Sequence, residues 1–93
     1  MSDVKTEFRK THSVFTIYDS KAETYSQPFV QTTIGLGLRF LEQLAKDSQT
    51  AVSRYPEDHT LYQIGEWDDR RGEVKMIPHK MLCKASEYTQ QDS

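Results

Sequence analysis

The chain has 93 residues, of which 35% are hydrophobic and 28% are charged, and its formal net charge is -2 at pH 7. So short a chain can bury one hydrophobic core only, and assembly into a homo-oligomer would remove further apolar surface from water. Proteins that hold nucleic acid by bulk electrostatics are usually strongly basic, so this charge excludes that class and leaves local basic patches and base stacking.

The single cysteine, Cys83, excludes an internal disulfide and a multi-cysteine zinc site, and it predicts a reducing, cytoplasmic setting. No apolar run approaches the length of a membrane span, and the N-terminus lacks the apolar region of a signal peptide. We therefore expect a soluble protein without membrane contacts. Residues 1–12 predict a flexible polar arm and residues 89–93 a disordered tail, which leaves residues 13–88 as a single α+β domain.

The first half of the domain predicts a strand followed by a long helix. Residues 13–18 are β-branched and aromatic, which is typical of a strand, and a short extended piece is expected at residues 29–30. Thr32 or Thr33 can cap a helix that runs to about Asp47. One face of this helix carries an apolar stripe, which predicts a buried side. The stripe consists of Ile34, Leu38, Leu41, Leu44 and Ala45, with Gly37 beside it.

Gly35 and Gly37 at the start of this helix resemble part of a phosphate-binding loop, but the third glycine and the following Lys-Ser or Lys-Thr of such loops are missing. Each glycine costs helix stability, about 1 kcal/mol relative to alanine. Their presence favours either fraying of the first turn or a close approach by another backbone.

The second half predicts a β-hairpin. Residues 60–67 form a predicted strand that points Leu61, Gln63, Gly65 and Trp67 one way and Tyr62, Ile64 and Glu66 the other. Residues 68–72 supply turn formers, and Gly72 can adopt a positive φ. Residues 73–77 form the returning strand, and Pro78 is expected to end it because proline donates no backbone hydrogen bond. Residues 81–88 are expected to form a short helix or an irregular segment. The β-α-β-β order predicts an α+β fold, with one long helix packed on one face of a small antiparallel or mixed sheet.

Several carboxylates surround His59 in the sequence. They are Glu57, Asp58, Glu66, Asp68 and Asp69. Converging carboxylates bind hard cations, and a histidine beside an aspartate serves acid–base chemistry. Acidic residues after Pro56 are also typical of a turn that enters a strand, since aspartate accepts hydrogen bonds from nearby backbone N–H groups. We adopt the second interpretation, and we expect no catalytic residue, no metal and no cofactor. Cys83 is expected to be a buried, small apolar residue.

Aromatic residues lie beside basic residues at several positions, as in proteins that hold single-stranded nucleic acid by stacking. Tyr25 follows Lys21, Arg54 precedes Tyr55, and Arg70 and Arg71 come just after Trp67. An exposed hairpin tip is the alternative interpretation of the last group. Three further rings are expected to fill the core instead. They are Phe15, Phe40 and Tyr62.

Segments along the whole domain together resemble the small non-structural protein of gokushovirus-type microviruses, the tailless single-stranded DNA phages. The segments are Val14-Phe15-Thr16-Ile17-Tyr18-Asp19, Lys21-Ala22, Tyr25, Pro28-Phe29, Gly35, Arg39-Phe40, Pro56-Glu57-Asp58, Leu61-Tyr62, Ile64-Gly65-Glu66, Asp68, Gly72, Pro78, Leu82, Ala85 and Tyr88. His59 and Trp67 depart from the pattern, which has phenylalanine at both places, and the arm before Ser13 is longer than usual. The resemblance implies a non-enzymatic protein that acts in viral DNA replication or packaging in the host bacterial cytoplasm.

We therefore expect a homo-oligomeric protein that binds single-stranded DNA, with rings stacking on bases and guanidinium groups pairing with phosphates. The candidate contact residues are Tyr25, Arg39, Arg54, Tyr55, Trp67, Arg70 and Arg71. The alternative is a protein–protein regulator of a host or phage replication or assembly factor, because an exposed strand of the hairpin could pair with a strand of a partner.

Overall fold

A five-stranded antiparallel sheet and three helices make up residues 11–89, the part of the chain that the computed structural model describes. The elements are β1 (His12–Asp19), β2 (Thr24–Tyr25), β3 (Phe29–Gln31), α1 (Ile34–Lys46), α2 (Ala51–Arg54), a 3-10 turn (Pro56–Asp58), β4 (His59–Asp68), β5 (Glu73–Lys84) and α3 (Ser86–Thr89). Residues 1–10 of the expected arm and residues 90–93 of the expected tail lie outside the described residues. The α+β fold with one long helix is confirmed.

β1 and β4 are the inner strands of the sheet. The strand order is β2-β1-β4-β5, and β3 pairs with β1 on the same side as β2. The register places Tyr18 opposite Tyr25 in β2 and opposite Thr60 in β4. β1 begins at His12, one residue before the predicted start of the domain, and Thr89 belongs to α3.

The predicted long helix is confirmed as α1. The hydroxyl of Thr33 accepts a hydrogen bond from the backbone N–H of Leu36 at 3.1 Å, which caps the first turn. The last turn closes with a bond from Asp47 N–H to the Leu44 carbonyl at 3.2 Å. The predicted apolar stripe packs on the core. The buried residues of that core are Phe15, Ile17, Leu41, Ala45, Val52, Leu61, Cys83 and Ala85.

Gly37 allows α1 to approach the sheet closely. A Cβ placed on Gly37 would lie 2.4 Å from Cζ of Phe15, a ring with 0% exposure. The expected close approach is therefore confirmed for Gly37, although the neighbour is a side chain and not a backbone. A Cβ on Gly35 would meet only the Thr33 hydroxyl, at 3.8 Å.

The returning strand of the hairpin is longer than predicted, and the expectation that Pro78 ends it is wrong. β5 continues to Lys84, and residues 81–84 are strand instead of helix or irregular chain. The register moves from Met76 opposite Gly65 to Lys80 opposite Gln63, so a bulge forms around Pro78. β5 is an outer strand of the sheet, where a bulged proline disturbs only one ladder of hydrogen bonds.

The tip of the hairpin follows its prediction. Gly72 adopts a φ of 68°, and its N–H donates to the Asp68 carbonyl at 2.8 Å. The Asp68 carboxylate accepts hydrogen bonds from the backbone N–H groups of Arg70 and Arg71 at 2.9 and 3.2 Å. This carboxylate is therefore the turn former that the sequence predicts.

Candidate nucleic-acid interface

Four rings form a cluster on the face of the sheet that lies away from α1. We call this cluster the aromatic face. It consists of Tyr18, Tyr25, Tyr62 and His79. The ring centroids of Tyr18 and Tyr25 lie 4.6 Å apart, and the Tyr25 centroid lies 6.4 Å from that of Tyr62 and 5.7 Å from that of His79. Tyr25 is 52% exposed, so its ring remains available for contact.

Strand alternation places these rings on one face. In β1, Phe15 and Ile17 enter the core against α1, so the alternate residues, Thr16 and Tyr18, lie on the opposite face. Thr16 pairs with Tyr62 across to β4, which brings that ring to the same face. The aromatic face therefore follows from the register of β1 with its neighbours.

Ser26 fixes the edge strand that carries Tyr25. The Thr16 hydroxyl donates a hydrogen bond to the Ser26 carbonyl at 2.8 Å. The Ser26 hydroxyl in turn accepts one from the backbone N–H of Ile17 at 3.0 Å. The backbone N–H of Ser26 also donates to the Ile17 carbonyl at 2.8 Å, so Tyr25 is held at a defined position beside Tyr18.

A cationic side chain flanks the aromatic face. Lys84 lies opposite Thr60, which itself lies opposite Tyr18, so it shares their face of the sheet. Lys80 follows His79 but pairs with Gln63, the partner of Phe15, so it lies on the other face. Rings beside ammonium groups are the combination that single-stranded nucleic acid requires.

The predicted contact residues fall at four separate places. Tyr25 belongs to the aromatic face, and Arg39 lies on the exposed side of α1. Arg54 ends α2, and Tyr55 follows it with 59% exposure. The other three, Trp67, Arg70 and Arg71, lie at the distal end of the hairpin. Among these seven predicted contact residues, the structure thus brings together only those that are neighbours in sequence.

Carboxylates surround the cations at the hairpin tip. Nε of Arg71 lies 3.9 Å from Oδ2 of Asp68, and Asp69 lies 3.4 Å from Nε2 of His12. Arg70 and Arg71 thus share a short loop with two carboxylates. This neutralisation weakens the field that a phosphate would meet there, relative to a cluster of cations alone.

Three members of the aromatic face escaped prediction. Tyr62 was expected to be a core residue, but it is half-buried and lies outside the core cluster. Tyr18 is not among the predicted contact residues, and His79 is isolated in sequence. Period-two alternation separates Tyr62 from Leu61 in the predicted strand, but it does not say which of the two faces is buried. The bulge in β5 that positions His79 has no clear sequence signal.

Cys83 and Tyr88 form a second group, on the core side. Burial, followed by the nearby Glu87, raises the pKa of the Cys83 thiol above its usual value. Burial, followed by Cys83, raises the pKa of Tyr88 to about 12. A thiol that resists ionisation is a poor nucleophile, which agrees with the predicted apolar role of Cys83.

The carboxylate that lies beside His59 in the structure is that of Asp19, and it serves the backbone. Oδ1 of Asp19 accepts hydrogen bonds from the N–H groups of Lys21 and Ala22 at 3.0 and 3.2 Å. His59 is buried, with Nδ1 at 2.8 Å from the Tyr55 carbonyl oxygen. Within residues 11–89, no three His, Cys, Asp or Glu side chains are arranged to hold a metal ion. No helix in this described part is long and apolar enough to cross a membrane.

Comparison with known families places the chain among phage proteins. The family described as Phage ORF5 protein matches residues 12–88, which is the whole of the folded unit from β1 into α3. Neither a curated protein nor a solved structure matches the chain. Since the family match covers most of the sequence, the chain belongs to the Phage ORF5 protein family.

Proposed function

We propose that this phage protein is a non-enzymatic, non-structural protein of the gokushovirus type. It binds single-stranded DNA during viral genome replication or packaging in the cytoplasm of the bacterial host. Membership of the phage family and the resemblance of the segments from Val14 to Tyr88 support the setting. The aromatic face supports the choice of single-stranded DNA as the ligand.

The aromatic face carries this proposal because its rings are both grouped and accessible. Tyr25 and His79 are exposed and Tyr18 and Tyr62 are half-buried, so the inner rings support the outer ones. Stacking of a base on such a ring contributes about 1–3 kcal/mol. Bases stack regardless of sequence, so we expect binding with little sequence preference on this face.

The net charge of -2 shapes the expected mode of binding. Lys84 in β5 is a basic residue on the same face as the rings. Each phosphate neutralised on a single strand steepens the salt dependence of binding by about 0.7 in the log–log slope. With few such contacts, stacking supplies most of the affinity and salt weakens binding only modestly.

Titration of a fluorescently labelled oligonucleotide at low salt, followed by anisotropy, tests the proposal. We expect Tyr25→Ala to weaken binding at least about fivefold, the equivalent of 1 kcal/mol, while Tyr25→Phe retains the ring and most of the affinity. Arg39→Ala is the control, because Arg39 lies on α1 behind the opposite face of the sheet. Absence of saturable binding by the wild-type protein would refute the proposal.

A second candidate function is regulation of a host or phage replication protein. β5 is an outer strand of the sheet, and Val74, Met76 and Met81 on it are 49%, 61% and 62% exposed. Such an edge can pair with a strand of a partner or of a second copy of this chain. Light scattering measures homo-oligomer formation. Capture of one host protein from infected lysate, resistant to nuclease, would favour this candidate over DNA binding.

A further inference from the structure

A cleft lies at the end of β1, beside α2 and the 3-10 turn. It holds a cavity of about 500 Å³, a volume within the range of small-molecule sites. The lining residues are Asp19, Lys21, Ala22, Ala51, Tyr55, Asp58 and His59. A second cavity of about 310 Å³ shares Asp19 and His59 with the first, so the two adjoin.

Asp19 and His59 form the fixed wall between the two cavities. One carboxylate oxygen of Asp19 accepts the two backbone hydrogen bonds described above, and the other lies 3.5 Å from Nε2 of His59. Nδ1 of His59 donates to the Tyr55 carbonyl. Both ring nitrogens of this buried histidine therefore face acceptors within the protein, and neither residue is free to bind a ligand.

Three other side chains of the cleft remain uncommitted. No hydrogen bond or ion pair within residues 11–89 involves these side-chain groups. They are the ammonium of Lys21, the carboxylate of Asp58 and the hydroxyl of Tyr55. The Tyr55 residue is 59% exposed. The cleft thus presents one cation, one anionic acceptor and one aromatic ring.

These three groups match the base ring, the phosphate and an exocyclic amino group of one nucleotide. A base stacks on an aromatic ring, an ammonium pairs with a phosphate, and a carboxylate accepts a hydrogen bond from an exocyclic amino group, as it does from N4 of cytosine. Thymine has no amino group, and its carbonyl oxygens would face the carboxylate unfavourably. We propose that the cleft binds one nucleotide whose base carries an exocyclic amino group, with cytosine favoured over thymine.

This inference rests on the proposed function and adds base selectivity to it. Tyr25 lines the second cavity and also belongs to the aromatic face, so this residue of the edge strand β2 borders both surfaces. A strand that passes over this edge stacks on the face without selectivity and places one base in the cleft. A bound divalent cation is the other ligand that paired carboxylates suggest, but the described residues contain no group of three His, Cys, Asp or Glu side chains that could hold one.

Paired titrations with oligo-dC and oligo-dT of equal length test the cleft. We expect the wild-type protein to bind oligo-dC more tightly by about tenfold or more, the range of a hydrogen bond to a charged group. Asp58→Ala should remove this ratio, because the Asp58 side chain makes no contact that the fold needs. Tyr25→Ala is the matched control, and it should weaken binding of both oligonucleotides while the ratio stays.

Free mononucleotides separate the two proposals. In backbone amide spectra, dCMP should shift Lys21, Ala22 and Asp58 more than dTMP does, and Tyr55→Ala should reduce these shifts. Equal affinities for oligo-dC and oligo-dT, with equal or absent shifts from the mononucleotides, would refute the nucleotide site in the cleft. Strand binding on the aromatic face would be unaffected by that result. Shifts from dCMP without binding of any oligonucleotide would support the cleft and refute strand binding.

Discussion

Replacement of Gly37 by alanine should destabilise the protein, although alanine is the better helix former. The new Cβ would lie 2.4 Å from one atom of the Phe15 ring and 2.7 and 2.8 Å from two others. That ring is fully buried and stacked on Phe29 at a centroid distance of 5.5 Å, so it cannot retreat freely. Overpacking costs about 1–3 kcal/mol and alanine returns about 1 kcal/mol of helix propensity. With three atoms in conflict, we expect a net loss of about 2 kcal/mol.

Gly35→Ala is the matched control in the same helix. Its Cβ would meet only the Thr33 hydroxyl at 3.8 Å, an ordinary contact, so we expect a gain of about 0.5–1 kcal/mol. Urea denaturation of both variants gives the two free energies of unfolding, and thermal midpoints should move by about 4–8 °C per kcal/mol. A Gly37→Ala variant as stable as the wild type would refute the close packing of α1 on Phe15.

Three further predictions concern caps, alkaline pH and the turn. Thr50→Ala should lower the free energy of unfolding, measured by urea denaturation, by roughly 2 kcal/mol, against roughly 1 kcal/mol for Thr33→Ala. The reason is that the Thr50 hydroxyl caps α2 and also donates to the Leu44 carbonyl at 2.7 Å. Equal losses in the two variants would contradict this. The folded pKa of Tyr88, about 12, exceeds its ordinary value of 10.0, so its contribution is complete below pH 10 and is lost as the pH rises towards 12. The urea midpoint should fall over that window, and Tyr88→Phe should flatten the fall. Gly72→Ala should lower the free energy of unfolding by about 1–2 kcal/mol, because the φ of Gly72 is 68°. A Cβ there would meet no atom within 4 Å, so the loss comes from backbone strain alone, and Gly72→Asn should cost less.

Local chemistry predicts those parts of the fold in which one signal acts alone. The Thr33 cap and the apolar stripe of α1 predict both the position and the buried side of the helix. Gly72 predicts the turn because its backbone requirement is local. Where two influences compete, the prediction fails. Pro78 normally ends a strand, but a bulge in an outer strand accommodates it, and β5 continues to Lys84.

The candidate site was less predictable because it depends on register. The sequence predicts Tyr25 as a contact residue from its neighbour Lys21, yet its closest ring is that of Tyr18, seven residues earlier, which the sheet places opposite it. Tyr62 and His79 join them only through pairing between strands and the bulge in β5. The cleft likewise arises where the end of β1 meets Tyr55 and Asp58, residues that lie far from it in sequence.

Ultraviolet crosslinking of a single-stranded oligonucleotide containing 5-bromodeoxyuridine, followed by mass spectrometry of the protein, tests the proposed function most directly. We expect adducts on the aromatic face, at Tyr25 above all because its ring is the most exposed tyrosine of the cluster, and a marked loss of adducts in Tyr25→Ala. Adducts confined to the hairpin tip around Trp67, or to α1 at Arg39, would contradict the aromatic face as the binding surface, and no adduct on the protein would contradict DNA binding itself.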